Sequence, residues 1–414
     1  MPIEEQSAGT IGNRQSTIGN SKMANTDRVQ APRWKRETEL VSGRMAKARS
    51  QSGRGLPVDK IMLAIVLGIT LFGAVMVYSA SAILAEKNYG NQFYFLGRQA
   101  MWVVVGLVAM AAAICIDYRH YKRPALIIPL LAGTLLLLAV VLLLPRVNET
   151  HRWIRYGRYF SLQPSELTKL ALVAFLGFFL EKKIKEVERW FTFMRAAIVA
   201  GVLIALVGAE PDLGTALALG LVFLAMLFHA GTPVRYFATL AVPVVPAMTY
   251  MLLKPWRFAR LLAFLDPWKY QTTWGFQPVQ SMIAIGSGGS GGVGFAQGRQ
   301  KLFYLPAPHT DFIFAVIGEE LGLIGAATLV LLFALLAWRG FRAARFAPDL
   351  FGQLVAVGLT TMIVAQAFFN ISVTLSLVPT KGIPLPFVSA GGSSLAISLF
   401  AAGVLLNVSK HGKT

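Results

Sequence analysis

The stretch IMLAIVLGITLFGAVMVYSASA, residues 61–82, decides the class of fold. It carries no charged side chain, and at 1.5 Å per residue it makes about 33 Å of helix, enough to cross a hydrocarbon layer of about 30 Å. The whole 414-residue chain follows suit: 55% of its residues are hydrophobic and only 14% charged, with a mean hydropathy of +0.58. Soluble domains carry roughly 25% charged residues. The chain is therefore read as a membrane protein.

Nine further apolar runs follow, at 101–116, 125–144, 167–180, 194–209, 213–230, 233–253, 312–338, 351–377 and 387–408. The expected fold is an all-α polytopic membrane protein with ten transmembrane helices. Arg119, Lys122 and Arg123, then Lys182, Lys183, Lys185 and Arg189, then Arg339, Arg342 and Arg345, then Lys410 and Lys413 fall in alternate loops. Short basic loops face the cytoplasm, so both termini are expected there. Residues 1–60, rich in Ser, Gly, Asn, Gln and basic residues without apolar period, read as a disordered basic cytoplasmic tail. Residues 61–408 form the membrane domain and 409–414 a short cytoplasmic tail. Seven spans from an inside start leave 254–310 as one long extracytoplasmic loop.

A net charge of +19, from 39 basic and 20 acidic residues, would suggest nucleic acid in a soluble protein. Here the cations lie between spans, where they set orientation, and anionic lipid is the expected partner rather than nucleic acid. Cys115 is the only cysteine, which excludes an intrachain disulfide and a cysteine metal site. The long loop opens with KPWRFARLLAFLDPWKY, 254–270, whose interleaved aromatic and basic residues suit the headgroup layer. It continues with GSGGSGGVGFAQGRQ, 286–300, either a flexible run or a nest of backbone N–H groups able to hold phosphate. No Gly-Lys-Ser/Thr follows, so it is not a Walker loop.

Acids are concentrated in LFYLPAPHTDFIFAVIGEELG, 302–322. Ionisable groups at membrane depth are costly and mark function by default. Thr310 or Asp311 can instead cap a helix beginning at Phe312. On a straight helix Glu319 is turned about 80° and Glu320 about 180° from Asp311, so Glu319 is expected to line the same cavity and Glu320 to meet a neighbouring helix. Asp212 is expected to cap the helix that follows it, whereas Glu210 sits at the outer end of its span, reaching water or a cationic partner. Arg152, Arg155, Arg158 and Lys381 lie on the outer side, against the charge bias, and suggest an anionic ligand such as a lipid-linked pyrophosphate.

HRWI with QPSELTK (151–169), AEPDLGTA (209–216), YLPAPHTDFIFAVIGEELG (304–322) and PTKGIPLPFVSAGGSSL (379–395) together resemble, in sequence and order, the SEDS family over 61–408. The basic tail, VYSAS at 77–81 and FFLEKK at 178–183 resemble its division branch, with the elongation and sporulation branches as alternatives. The resemblance implies a ten-helix peptidoglycan glycosyltransferase that polymerises lipid II into glycan strands at the outer face of the cytoplasmic (inner) membrane, at the division septum. It further implies a class B penicillin-binding protein and other division proteins as partners. Asp311 matches the family's essential aspartate; Arg152, Lys381 and Glu210 match polar residues linked to activity, and His309 and Ser393 complete the expected substrate-binding set. Two residues depart from the pattern: Ala390 stands where Tyr is frequent, and His151 where a small residue is common.

In the expected mechanism Asp311, with a carboxyl near its ordinary value of about 4, accepts the proton of the acceptor GlcNAc 4-hydroxyl. Arg152 and Lys381 neutralise the departing undecaprenyl pyrophosphate, and a single inverting displacement takes the α linkage to β. A divalent cation, magnesium or manganese, is compatible with this chemistry, but no metal-spaced His and Asp cluster marks its ligands. A lipid II flippase and a non-enzymatic division scaffold recruiting a penicillin-binding protein are the alternative readings.

Overall fold

Asp59 starts the membrane domain: its carboxylate accepts hydrogen bonds from the Ile61 and Met62 N–H groups and caps helix α1, Lys60–Tyr89. The computed structural model describes residues 58–144, 152–156 and 160–412. All but the last three residues of the expected cytoplasmic tail lie outside the described residues, as do His151, Arg158, Lys413 and the side chain of Arg155. After α1 come α2 (Tyr94–Cys115), α3 (Pro124–Leu143), a hairpin of β1 (Ile154–Tyr156) and β2 (Phe160–Leu162), α4 (Pro164–Lys182), α5 (Trp190–Ala209) and α6 (Leu213–His229). Then follow α7 (Val234–Leu252), α8 (Pro255–Leu265), α9 (Phe276–Gly288), α10 (Ile313–Phe346), α11 (Leu350–Thr374) and α12 (Ser393–His411). The hairpin is antiparallel, with Ile154 opposite Leu162.

Among the described residues, seven helices are long and apolar enough to cross a membrane: α1, α2, α3, α5, α10, α11 and α12. The pair α7 and α8, bent by 88° at its junction, makes an eighth candidate. The remaining two expected spans are also helical. However, α6 has only 17 residues, and α4 carries Glu166 and Lys169 into the interior as a buried ion pair at 2.8 Å. Hydrophobicity does not separate core from periphery in such a chain, because lipid-facing and buried side chains are alike. Burial does: 78% of the most apolar window of α11 and 72% of that of α12 is buried, against 22% for α3. The central helices α11 and α12 position the loops discussed below. Close approach is set by small residues, as where Gly403 of α12 lies on the backbone of α2, so that an added Cβ would come within 2.6 Å of the Met110 carbonyl.

Residues 254–310 contain two helices, a correction to the reading of one long loop. Helix α8 turns 88° from α7, and exposes Phe258 and Leu265. That geometry agrees with the surface-anchor composition read for 254–270. The glycine-rich run is neither a flexible stretch nor a free phosphate nest. Helix α10 is broken at Gly322 (φ 65, ψ −164), and the Leu323 and Ile324 N–H groups released there donate to the Gly289 and Ser290 carbonyls at 2.9 and 3.2 Å. In return Val293 and Gly294 N–H donate to the Glu319 and Glu320 carbonyls. Gly292, at φ +82, lies directly against the Glu320 carbonyl, where no side chain fits. The anions that the run's N–H groups do hold are the chain's own: Arg299 and Gln300 N–H donate to Glu319 Oε1 at 2.7 and 3.1 Å, and Ala296 N–H to Glu320 Oε2 at 3.1 Å.

Glu319 therefore holds the loop and does not line a cavity with Asp311. The helical projection missed this because a partner on a returning loop has no place on a straight wheel. Glu320 meets α1 as expected, through Ser79 Oγ at 2.7 Å, and also takes a buried ion pair from Lys301 Nζ at 2.6 Å. Removing one member of a buried pair costs about 3–5 kcal/mol because the other charge is stranded. Lys301→Met is thus expected to lower stability by that order. Thermal unfolding in detergent checks it, with the Lys301→Met/Glu320→Gln double variant expected to recover part of the loss.

Candidate active site

Two irregular segments, 306–312 ahead of α10 and 379–392 ahead of α12, carry His309, Asp311 and Lys381. They are stitched together by central-helix side chains and by each other. Asn370 of α11 donates to the Asp311 carbonyl at 2.8 Å and to the Ile383 carbonyl at 2.7 Å. Ser389 Oγ donates to the Thr310 carbonyl at 2.6 Å and accepts from Leu385 N–H at 2.8 Å. Ala390 N–H donates to the His309 carbonyl at 3.0 Å. Gln366 of α11 ties the Pro384 carbonyl at 2.9 Å and accepts from the buried Lys169 Nζ at 2.5 Å.

Neither Thr310 nor Asp311 caps the helix. The N-cap position of α10 is Phe312, without a side-chain hydrogen bond. The Asp311 carboxylate instead lies over Gly382, where an added Cβ would come within 2.6 Å of Oδ2, and among the described residues it has no hydrogen-bond or ion-pair partner. Burial pushes its carboxyl up to about 6, opposed by the Arg152 charge and reinforced by Asp212. This is well above the expected value of about 4.

Arg152 reaches the turn between α5 and α6, donating to the Glu210 carbonyl from Nε at 3.1 Å and to the Pro211 carbonyl from Nη2. Glu210 is fully buried, and neither carboxyl oxygen has a hydrogen-bond partner among the described residues. Burial first, then the neighbouring Asp212, raise it to about 8 against the pull of Arg152. It is a neutral acid at neutral pH. Asp212 caps α6 as expected, accepting from Thr215 N–H and Oγ1 at 3.2 and 2.9 Å, and also from Gln163 Nε2 at 3.1 Å.

Lys381 is half-buried, without a carboxylate partner among the described residues. Burial lowers it to about 8, Asp212 opposing and Arg257 and Arg260 of α8 adding to the fall. His309 packs against Phe95, with 4.5 Å between ring centroids and the planes tilted by 41°. Burial and the Arg98 charge lower it to about 4, so its ring is neutral at physiological pH. Ser393 is buried at the start of α12, where its Oγ accepts from Gln163 N–H at 3.2 Å. The structure thus brings Asp311, Arg152, Glu210 and Lys381 into one electrostatic neighbourhood, with His309 flanking it and Ser393 in its support. Asn370 and Gln366 were not legible as site residues, since a neutral amide in an apolar run looks like any helix contact; Gln163 stood in the QPSELTK motif but carried no charge to single it out. Among the described residues no three His, Cys, Asp or Glu side chains gather at metal-ligand spacing.

The family of cell cycle proteins comprising FtsW, RodA and SpoVE matches residues 59–414. This chain belongs to that family. Among its relatives in the FtsW/RodA/SpoVE family, the probable peptidoglycan glycosyltransferase FtsW of Geobacter metallireducens is 44% identical over 361 residues, covering 86% of this chain and 95% of the relative. Stage V sporulation protein E of Bacillus subtilis is 40% identical over 363 residues, covering 86% and 98%. Two solved structures share the family fold. A chain from a structure described as the coordination of polymerization and crosslinking by a peptidoglycan synthase complex superposes with a TM-score of 0.70 at 32% identity, over 86% of this chain and 98% of that one. The rod shape determining protein RodA of Thermus thermophilus gives 0.64 at 27% identity, over 87% and 99%.

The stitching of the two segments carries a stability prediction. Asn370→Leu leaves two buried carbonyls without donors, at about 1–3 kcal/mol each. Its melting temperature in detergent is expected to fall accordingly, whereas Asn370→Asp, an acceptor only when ionised, is expected to fare no better.

Proposed function

We propose that this FtsW/RodA/SpoVE-family protein is a peptidoglycan glycosyltransferase that polymerises lipid II, acting in septal wall synthesis during cell division. The observation that carries the site assignment is the Asp311 carboxylate: it caps no helix, has no ionic partner among the described residues, and lies over Gly382 beside Lys381 and within the field of Arg152. In this reading the acceptor sugar's 4-hydroxyl attacks the donor's anomeric carbon. The new C–O bond forms as the bond to the lipid pyrophosphate breaks, and Asp311 takes the hydroxyl proton. Inversion at that carbon turns the α linkage into β without a covalent enzyme intermediate. Arg152 and Lys381 offset the charge that develops on the departing pyrophosphate. The neutral state of Glu210 supports this arrangement, because a second carboxylate anion there would compete for the same cations.

The corresponding topology has ten spans, α1 to α7 and α10 to α12, with both ends cytoplasmic and 254–310 outside, α8 lying along the outer surface. The reaction then takes place at the outer leaflet of the cytoplasmic membrane, at the septum. The growing glycan strand, a class B penicillin-binding transpeptidase and other division proteins are the partners. The similarity to a chain of a peptidoglycan synthase complex supports the transpeptidase partner.

Asp311→Asn is expected to fold and insert normally and to make no glycan polymer from lipid II, with or without a penicillin-binding partner; near-normal chain formation would overturn the base assignment. The pH profile follows from the same groups. Asp311 loses its basic form as pH falls through about 6, and Lys381 loses its charge as pH rises through about 8. The rate is therefore expected to rise through the first value and fall beyond the second. Lys381→Arg, whose cation persists to higher pH, is expected to retain a larger share of its own maximal rate at alkaline pH than the unaltered protein does.

A further inference from the structure

Two arginines of α8 have no role in the mechanism above. Arg257 and Arg260 are three residues apart and so share a helix face. Trp256 lies under both, at 4.6 and 5.4 Å from ring centroid to guanidinium, and Trp274 is 5.5 Å from Arg260. These contacts fix the direction of the guanidinium groups but do not neutralise them. Arg257 is only 6% exposed; its Nε has no hydrogen-bond partner among the described residues, and its Nη1 reaches only the Met251 carbonyl at 3.3 Å. Arg260 has no acidic partner among the described residues. It packs with Phe264, Trp274, Ser376 and Thr380 around a crevice too tight to hold a water, and the Ser376 Oγ there is buried without a hydrogen-bond partner among the described residues. Thr380 is the chain neighbour of Lys381, so this crevice adjoins the reaction site.

Arg152 and Lys381 also lack carboxylate partners among the described residues. Four cations therefore face a region whose nearby acids are Asp212, already engaged as a helix cap, Asp311, and the neutral Glu210. Burying a cation without an anion is costly, and a headgroup anchor would put its cations in water. Lys254 and Lys269 of the same stretch are exposed in that way. The inward pair calls for an anion of more than one charge.

We propose that Arg257 and Arg260 bind the pyrophosphate of a lipid-linked substrate, alongside Arg152 and Lys381. This assignment rests on the glycosyltransferase reading and names the residues that would hold its lipid carrier.

The test is direct binding of undecaprenyl pyrophosphate and undecaprenyl monophosphate to the full chain in phosphatidylcholine nanodiscs. The unaltered protein is expected to favour the pyrophosphate. Arg257→Gln and Arg260→Gln are each expected to weaken pyrophosphate binding by about tenfold, the scale of one lost charge-assisted contact, and monophosphate binding by much less. Gln variants that fold and retain full pyrophosphate affinity would overturn the assignment. So would displacement of the pyrophosphate by phosphatidylglycerol at equal mole fraction, which would make the pair a general headgroup site. If the Gln variants fail to fold, Arg260→Lys decides: a reduced preference for pyrophosphate over monophosphate supports the proposal, and an unchanged preference overturns it. Intact, arginine-dependent pyrophosphate binding by a protein that forms no glycan even with its partner would tell against the proposed function alone, leaving the binding assignment in place.

Discussion

One side-chain amide determines where the reactive carboxylate sits. Irregular backbone at membrane depth survives only if its carbonyls find donors within the protein, and Asn370 supplies two at once, to the segment bearing Asp311 and to the segment bearing Lys381. Ser389 and Gln366 extend the same work to Thr310 and Pro384. Because these donors come from the most buried helix and from the segment itself, the spacing between the acid and the cation follows from the packing of α11. The buried Glu166–Lys169 pair lies one step behind, joined to Gln366 through Lys169. Its presence in the interior explains why α4 fails as a simple apolar span while still belonging to the bundle.

Around this frame the charges are unequal. Cations on the hairpin, on α8 and on the segment before α12 outnumber the acids free to meet them. Each acid is limited differently: Asp212 by its capping bonds, Glu210 by burial that keeps its proton, Asp311 by its burial over Gly382. A site of this sign favours a multiply charged anion in the ground state and stabilises further negative charge as a leaving group departs.

The apolar runs were enough to locate the helices of the expected spans, since a long run of mostly apolar residues has few alternatives in water or lipid, but they gave no sign of α8 and α9. Asp311 stood out for the same reason, as an acid at the edge of such a run, and the cap reading that competed with it failed only when the N-cap of α10 proved to be Phe312. Other features depended on tertiary contacts that no local pattern carries. Glu319 could be placed on a wheel but not against the backbone of Arg299 and Gln300. The glycine run read as flexible because its purpose, close backbone approach to the broken turn at Gly322, lies in a partner 30 residues onward. Arg257 and Arg260 were absorbed into an amphipathic surface pattern, which is right for their exposed neighbours and silent about which face turns inward.

The contacts that lock this run differ greatly in their distance along the chain. Arg299 and Gln300 are 20 and 19 residues from Glu319, whereas Ser79 is 241 residues from Glu320. Closing a short loop loses less chain entropy than closing a long one, and short-range contacts form sooner. The 288–324 unit therefore has the means to assemble as a local module, with its own carboxylates as its template, once α10 is made. Helix α1, synthesised first, must wait for that module before the Ser79 hydroxyl has anything to meet. The docking of the earliest helix thus follows the closing of the module it meets.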